Sequence, residues 1–151
     1  MTTFKDRLES DLRTAMKGRD ELVVSTLRMA IAAVRNEEVA GDTARTLTDA
    51  EVQTVLTREM KKRRDAAAAF ADAGRPEQAE RERSEERVLQ GYLPKQLTEQ
   101  ELAAAVTTAL AGLDVSGTKA LGPAMKAAQA EVAGRAEGGR VAAEVRRQLG
   151  M

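Results

Sequence analysis

Apolar residues return along this chain at three- and four-residue steps almost from its first position. Phe4, Leu8, Leu12 and Met16 recur every four residues with Lys, Asp, Arg and Glu between them, which predicts an amphipathic helix over roughly residues 3–18. Asp20 is placed to cap a second helix, whose stripe is Val23, Leu27, Ala30, Ile31 and Val34. That stripe fades at Asn36-Glu37-Glu38 and stops by Gly41. Thr48-Asp49-Ala50-Glu51 spells a capping box, in which each side chain can satisfy the other residue's free backbone N–H. The helix it opens runs through Val52, Val55, Leu56, Glu59, Met60 and Arg63 to Phe70 and ends at Gly74. At about 1.5 Å per residue it is nearly 40 Å long, the spine of the N-terminal half. Pro76 suits the first turn of the next helix, which is rich in Glu and Arg from Glu77 to Arg87 and apolar only at Val88 and Leu89.

Gly91-Tyr92-Leu93-Pro94 interrupts the pattern: proline disfavours a helical Leu93, and Gly91 suits the left-handed position that follows many helices. A second capping box, Thr98 to Glu101, starts a helix with Leu102, Val106 and Leu110. A loop over 112–117 precedes a short helix carrying Leu121, Met125, Ala128 and Val132. A second loop, 134–139, leads to a last helix marked by Val141, Val145 and Leu149. No stretch alternates convincingly with period two. The expected fold is all-α: an N-terminal helical domain over 1–93 with a long central helix, and a C-terminal three-helix domain over 94–151. The second is small enough to lean on its neighbour for stability.

Composition narrows the chemistry. Hydrophobic residues make up 42%, much of that alanine, and aromatics only 2%, so the helices should pack closely around thin seams. The absence of cysteine removes disulfides and thiolate nucleophiles, and the absence of histidine removes the commonest general base and metal ligand. No metal or cofactor is expected. Net charge is zero, with 17 basic and 18 acidic residues before Pro94 and 7 and 6 from it onward. No global field steers the chain to nucleic acid or lipid, so any electrostatic site must be local and DNA is not an expected partner. No apolar run approaches the roughly 18–20 residues of a membrane span, and the opening lacks a basic segment followed by an apolar one. The cytoplasm is the expected compartment.

Several stretches then carry a resemblance. Ser25-Thr26-Leu27-Arg28-Met29 followed by Ala32-Ala33-Val34-Arg35-Asn36-Glu37 closely resembles the N-terminal signature of the GatB/YqeY family. Leu47-Thr48-Asp49, the basic run Lys61 to Arg64, Phe70 to Arg75, Tyr92 to Leu97 and Gly134 to Gly138 match it in the same order. The resemblance implies an N-terminal helical domain followed by a domain similar to the tail of GatB, a subunit of the tRNA-dependent amidotransferase. That enzyme converts glutamate or aspartate on mischarged tRNA to the amide with glutamine as nitrogen donor, and its tail helps to hold the tRNA. Two positions depart from the pattern: Pro123 and Gly139 stand where relatives often carry lysine.

No self-contained catalytic centre is evident. The serines, Ser10, Ser25, Ser84 and Ser116, lie outside any nucleophile loop, and Gly117-Thr118-Lys119 lacks the frame of a phosphate loop. Glu37-Glu38 and Glu85-Glu86 are neighbours on helices, so their side chains should diverge. Lys61, Lys62 and Arg64 belong to the densest basic run, but consecutive helical residues spread over about 300°. A solvated face, or pairing with the acidic helix 77–87, is therefore favoured there over RNA contact. Arg28, Arg35 and Asn36 border an apolar stripe, where an arginine stem can cover the seam while its head pairs with glutamate; a ligand role is the alternative. The 134–139 loop is the better candidate. Gly138 opens the final helix, whose N–H groups with Arg135 and Arg140 suit a phosphate, and Lys119 and Lys126 lie on the preceding side. A simple turn between helices is the competing reading of those glycines.

These observations lead to the expectation of a non-catalytic helical adaptor that binds tRNA at backbone and shape features, with an amidotransferase as a possible partner. The alternatives are a protein–protein interaction module without RNA binding, or an accessory component of a carbon–nitrogen ligase using glutamine as amido donor. The last rests on the resemblance alone.

Overall fold

The computed structural model describes residues 2–113 and 120–151, which form helices and connecting turns with no strand among them. The chain divides into two compact units, Met1–Leu93 and Pro94–Met151.

The first unit holds four helices among its described residues: α1 (Phe4–Lys17), α2 (Glu21–Glu38), α3 (Asp49–Asp72) and α4 (Pro76–Gln90). Their starts follow from local chemistry. Thr3 with Asp6 and Thr48 with Glu51 form capping boxes, Asp20 accepts from the Val23 N–H, and Pro76 sits at the first turn of α4. Leu8, Leu27, Ile31, Val34, Leu47, Val52, Val55, Leu56, Met60, Leu89 and Leu93 close one core. The α1 stripe is narrower than its spacing predicts: Leu8 is fully buried, Phe4 and Leu12 are half-buried, and Met16 is 49% exposed. Ala15 is buried in place of Met16, because the helix meets α2 along a line rotated one residue from the four-residue repeat.

The α2–α3 connection has few apolar residues, and polar contacts hold it. Glu38 is buried and takes Lys5 Nζ at 2.6 Å and the Leu47 N–H at 3.3 Å, while the Arg45 N–H donates to the Glu38 carbonyl at 2.9 Å. Lys5 and the Leu47 amide hold the Glu38 carboxyl below the ordinary glutamate range. The chain turns between α3 and α4 at Gly74, whose φ of 73° is a left-handed conformation that glycine adopts without a Cβ clash. Gly91 differs from expectation: it ends α4 with φ −63°, an ordinary right-handed conformation. The turn into Tyr92 needs no glycine geometry there.

The second unit comprises α5 (Glu99–Leu110), α6 (Leu121–Val132) and α7 (Gly138–Gln148) around Leu97, Leu102, Val106, Leu110, Ala124, Ala128, Val132, Ala136, Val141 and Val145. Alanines at 124 and 128 let the helices approach closely, Ala136 packs in from the loop before α7, and Val or Leu fills the seams. α6 ends with Ala133 (φ 50°) and Gly134 (φ 78°) both left-handed, which reverses the chain sharply into the loop before α7.

Candidate functional site

The start of α7 is a junction at which two segments far apart in sequence are bonded together. The Leu97 N–H donates to the Arg135 carbonyl at 2.7 Å, and Gln96 Nε2 reaches the Pro94 and Gly134 carbonyls at 3.2 and 3.5 Å. Arg140 donates through Nη2 to the Leu97 carbonyl at 3.0 Å and to Glu99 Oε1 at 2.8 Å, with Nε on the same oxygen at 3.2 Å. The Thr98–Glu101 capping box sits beside this junction and supplies the bonds that keep the Glu101 carboxyl below its ordinary range, with Lys95 and Arg135 adding favourable charge.

Arg135 and Arg140 are held differently. The Arg135 guanidinium donates through Nε to the Val132 carbonyl at 2.9 Å and through Nη2 to the Glu131 carbonyl at 2.8 Å, closing the end of α6. Both acceptors are neutral, so the geometry positions the charge without cancelling it by direct ion pairing. Arg140 spends its charge on Glu99, whose side chain is 82% exposed and open to competition from solvent or ligand. Between them α7 begins at Gly138 with no side-chain cap, leaving first-turn N–H groups that no i−4 carbonyl can satisfy. Gly139 is exposed, and a Cβ placed on it would meet nothing within 4 Å, so the backbone there is open to approach. Glu99, Glu101 and Glu137 border the same end, which keeps the site from being a broad basic patch.

The remaining candidates fall elsewhere. Lys126 is exposed on α6, six residues before Val132, so roughly 9 Å along the axis from the end that Arg135 closes. Lys119 lies outside the described residues. Lys61, Lys62 and Arg64 are on α3 in the first unit, each beside a carboxylate: Lys61 with Asp65 at 2.8 Å, Lys62 with Glu59 at 3.0 Å, and Arg64 with Glu86 at 3.1 Å. Arg63, from the same run, is 14% exposed and faces Glu59 at 3.5 Å and Glu85 at 3.2 Å, binding α3 to α4. The acidic α4 thus takes up Arg63 and Arg64, while Lys61 and Lys62 pair along α3 itself. Glu37 and Glu38 do diverge, to Arg58 and Lys5, as do Glu85 and Glu86, to Arg63 and Arg64.

Arg28 and Asn36 are exposed on α2 and share an open groove of about 550 Å³ with Glu9, Leu12, Arg13, Ile31, Ala32 and Arg35. Arg35 meets Glu9 at 3.5 Å. Sequence reasoning passed over Arg13 and Lys95. Arg13 is one more cation in the polar half of α1, and Lys95 follows a helix-breaking proline, so neither position carries a local sign of the neighbours that folding brings to it.

A family model described as "Yqey-like protein" matches residues 5–149. The chain is also 30% identical over 133 residues to "Altered inheritance of mitochondria protein 41, mitochondrial" of Pyrenophora tritici-repentis (strain Pt-1C-BFP), an alignment covering 86% of this chain and 71% of that protein. Among the described residues no helix is long and apolar enough to cross a membrane.

Proposed function

The chain belongs to the family of YqeY-like proteins, and from that footing we propose that it is a non-catalytic helical adaptor whose C-terminal unit binds the phosphate backbone of a structured RNA. The observation that carries this reading is the Arg135 guanidinium, fixed by two neutral carbonyls beside the uncapped start of α7. A pre-placed cation next to unpaired helical N–H groups is the arrangement that a phosphate oxygen needs. tRNA is the favoured ligand because this unit resembles the GatB tail, and an amidotransferase is then the natural partner. The chain's few aromatic residues argue against reading unstacked single strands. The compartment that suits the role is one that holds charged tRNA, the cytoplasm in the simplest case.

Fluorescence anisotropy with bulk tRNA at several salt concentrations, against duplex DNA, tests the proposal. The expected result is preference for tRNA and a log affinity that falls with log salt, flattened by about 1–2 units of slope in Arg135→Ala with Arg140→Ala. An unchanged slope removes the α7 site from consideration, and no binding at low salt ends the RNA reading.

One feature supports a protein-interaction role instead. Ala66, Ala69, Phe70, Ala73 and Arg75 line a mostly apolar groove of about 380 Å³ at the end of α3, near a basic run whose charges are largely paired within the unit. A complex that survives nuclease treatment and is lost in Phe70→Glu would favour this reading.

A further inference from the structure

The groove between α1 and α2 differs from the hollow between α3 and α4 in how its charges are used. Between α3 and α4, Arg64, Arg83 and Arg87 line a hollow of about 340 Å³, and all three face carboxylates, Glu86 or Glu80. Between α1 and α2 stand Arg13, Arg28 and Arg35 against the one lining carboxylate, Glu9. Among the described residues the side chains of Arg13, Arg28 and Asn36 have no hydrogen bond or ion pair, and that of Arg35 has only its long contact to Glu9. The groove therefore carries an excess of two positive charges whose donors point to no internal acceptor.

Its floor is apolar. Leu12, Ile31 and Ala32 lie between the arginines, and Met16, one turn beyond Leu12 on α1, leaves half of its surface exposed. On α2 the lining positions 28, 31, 32, 35 and 36 follow helical spacing, which extends the trough over about two turns. Two packed helices offering an apolar strip rimmed by arginine forks match a third helix with an apolar ridge and carboxylates on both flanks. Nucleic acid fits less well: phosphates gain nothing from Leu12, Ile31 and Ala32, and no lining residue is aromatic.

We propose that the α1–α2 groove is a docking site for an acidic amphipathic helix of a partner protein, held by Arg13, Arg28 and Arg35 over a Leu12–Ile31–Ala32 floor. The site lies in the first unit, so the proposal is independent of RNA binding by the second. The arginines set orientation and rate of encounter, the apolar strip supplies burial, and Asn36 can meet a backbone or side-chain polar group at one end.

The test is titration of the isotope-labelled full chain with a synthetic helical peptide carrying leucines on one face and glutamates beside them, followed by NMR. The controls are a scrambled peptide and an RNA hairpin. Saturable shifts confined to residues 9–16 and 28–36 are expected, with affinity about tenfold weaker in Arg28→Glu with Arg35→Glu. In that variant a lysine-for-glutamate peptide should bind better than the original, which separates charge recognition from loss of fold. Circular dichroism melting confirms that the variant is folded, and Arg13→Glu serves in its place if it is not. Shifts elsewhere, equal binding of the scrambled peptide, or no saturable binding would overturn the proposal. Preferential occupation of this groove by the RNA hairpin at matched salt would overturn it in favour of a phosphate site, whatever the behaviour of the α7 residues.

Discussion

Tyr92 Oη donates to Asp11 Oδ2 at 2.5 Å, tying the end of the first unit to the middle of α1 across 81 residues of sequence. Arg7 lies over the same ring at 4.7 Å and the Phe4 ring packs against it with centroids 6.3 Å apart, so both the ring and its hydroxyl have partners on α1.

This arrangement dictates an alkaline titration. Burial, and then the bond to Asp11, push the Tyr92 phenol well above the ordinary tyrosine value. The contribution of the protonated phenol is thus complete below the unfolded value of about 10 and is lost as pH rises through the folded one. Tyr92 is the one tyrosine and there is no tryptophan, so phenolate absorbance reports this group alone. It should ionise above pH 10 in the native chain and near 10 in urea. Tyr92→Phe should cost about 1.5–2 kcal/mol, the lower part of the range for a bond to a charged acceptor because the pair is half-buried.

Glu38 is one carboxylate through which acid should weaken the fold. Its carboxyl sits below the ordinary range because Lys5 and the Leu47 amide favour the charged form. The stabilisation is present above the unfolded value of about 4.3 and fades as pH falls through the lower folded value. Glu38→Gln should melt at a lower temperature than the natural chain at pH 7, and the difference should close in strong acid. A constant gap across that window would contradict the assignment.

Arg63 is the cation that α3 lends to α4. Its Nη2 donates to Glu59 at 3.5 Å and Met29 Sδ at 3.2 Å, and its Nε lies 3.2 Å from Glu85. Removing it strands carboxylates in a nearly buried seam, so Arg63→Ala should lose about 3 kcal/mol in urea denaturation. Arg63→Lys should recover only part of that, because a single ammonium cannot span the same acceptors.

Glu82 should respond the other way. Burial first, and the like charge of Glu85 second, raise its pKa, and its Oε2 is buried without a hydrogen bond. The charged form is penalised in the fold at neutral pH, and the penalty disappears as pH drops through the raised value. Glu82→Gln should therefore gain about 1 kcal/mol at pH 7 and nothing in acid. Matching melts at both pH values would refute this.

Gly139→Ala separates fold from function at the α7 start. Its added Cβ meets open space, so the chain should keep its melting temperature or gain about 0.5 kcal/mol from better helix propensity. A phosphate seated on the first-turn N–H groups would meet that methyl, and RNA affinity should fall. Unchanged affinity would place any RNA contact away from this backbone.

Most of the helical architecture was legible from spacing and caps, since both are local. The four-residue recurrence from Phe4, the Thr48–Glu51 and Thr98–Glu101 boxes and Pro76 each specify a boundary within a few residues, without reference to the rest of the chain. The ordered family signature was equally a property of the sequence. What only folding decided is which charges are spent and which remain. Spacing offered the acidic helix as a partner for the basic run, but cannot reveal which of its residues would meet α4, or that Arg135 would close α6 through carbonyls while Arg140 reached back to Glu99. Nor can it reveal that Arg13 and Arg28 would face each other's groove without a carboxylate of their own. An arginine's partner is set by contacts between residues far apart in the chain, and those distances exist only after the helices have packed.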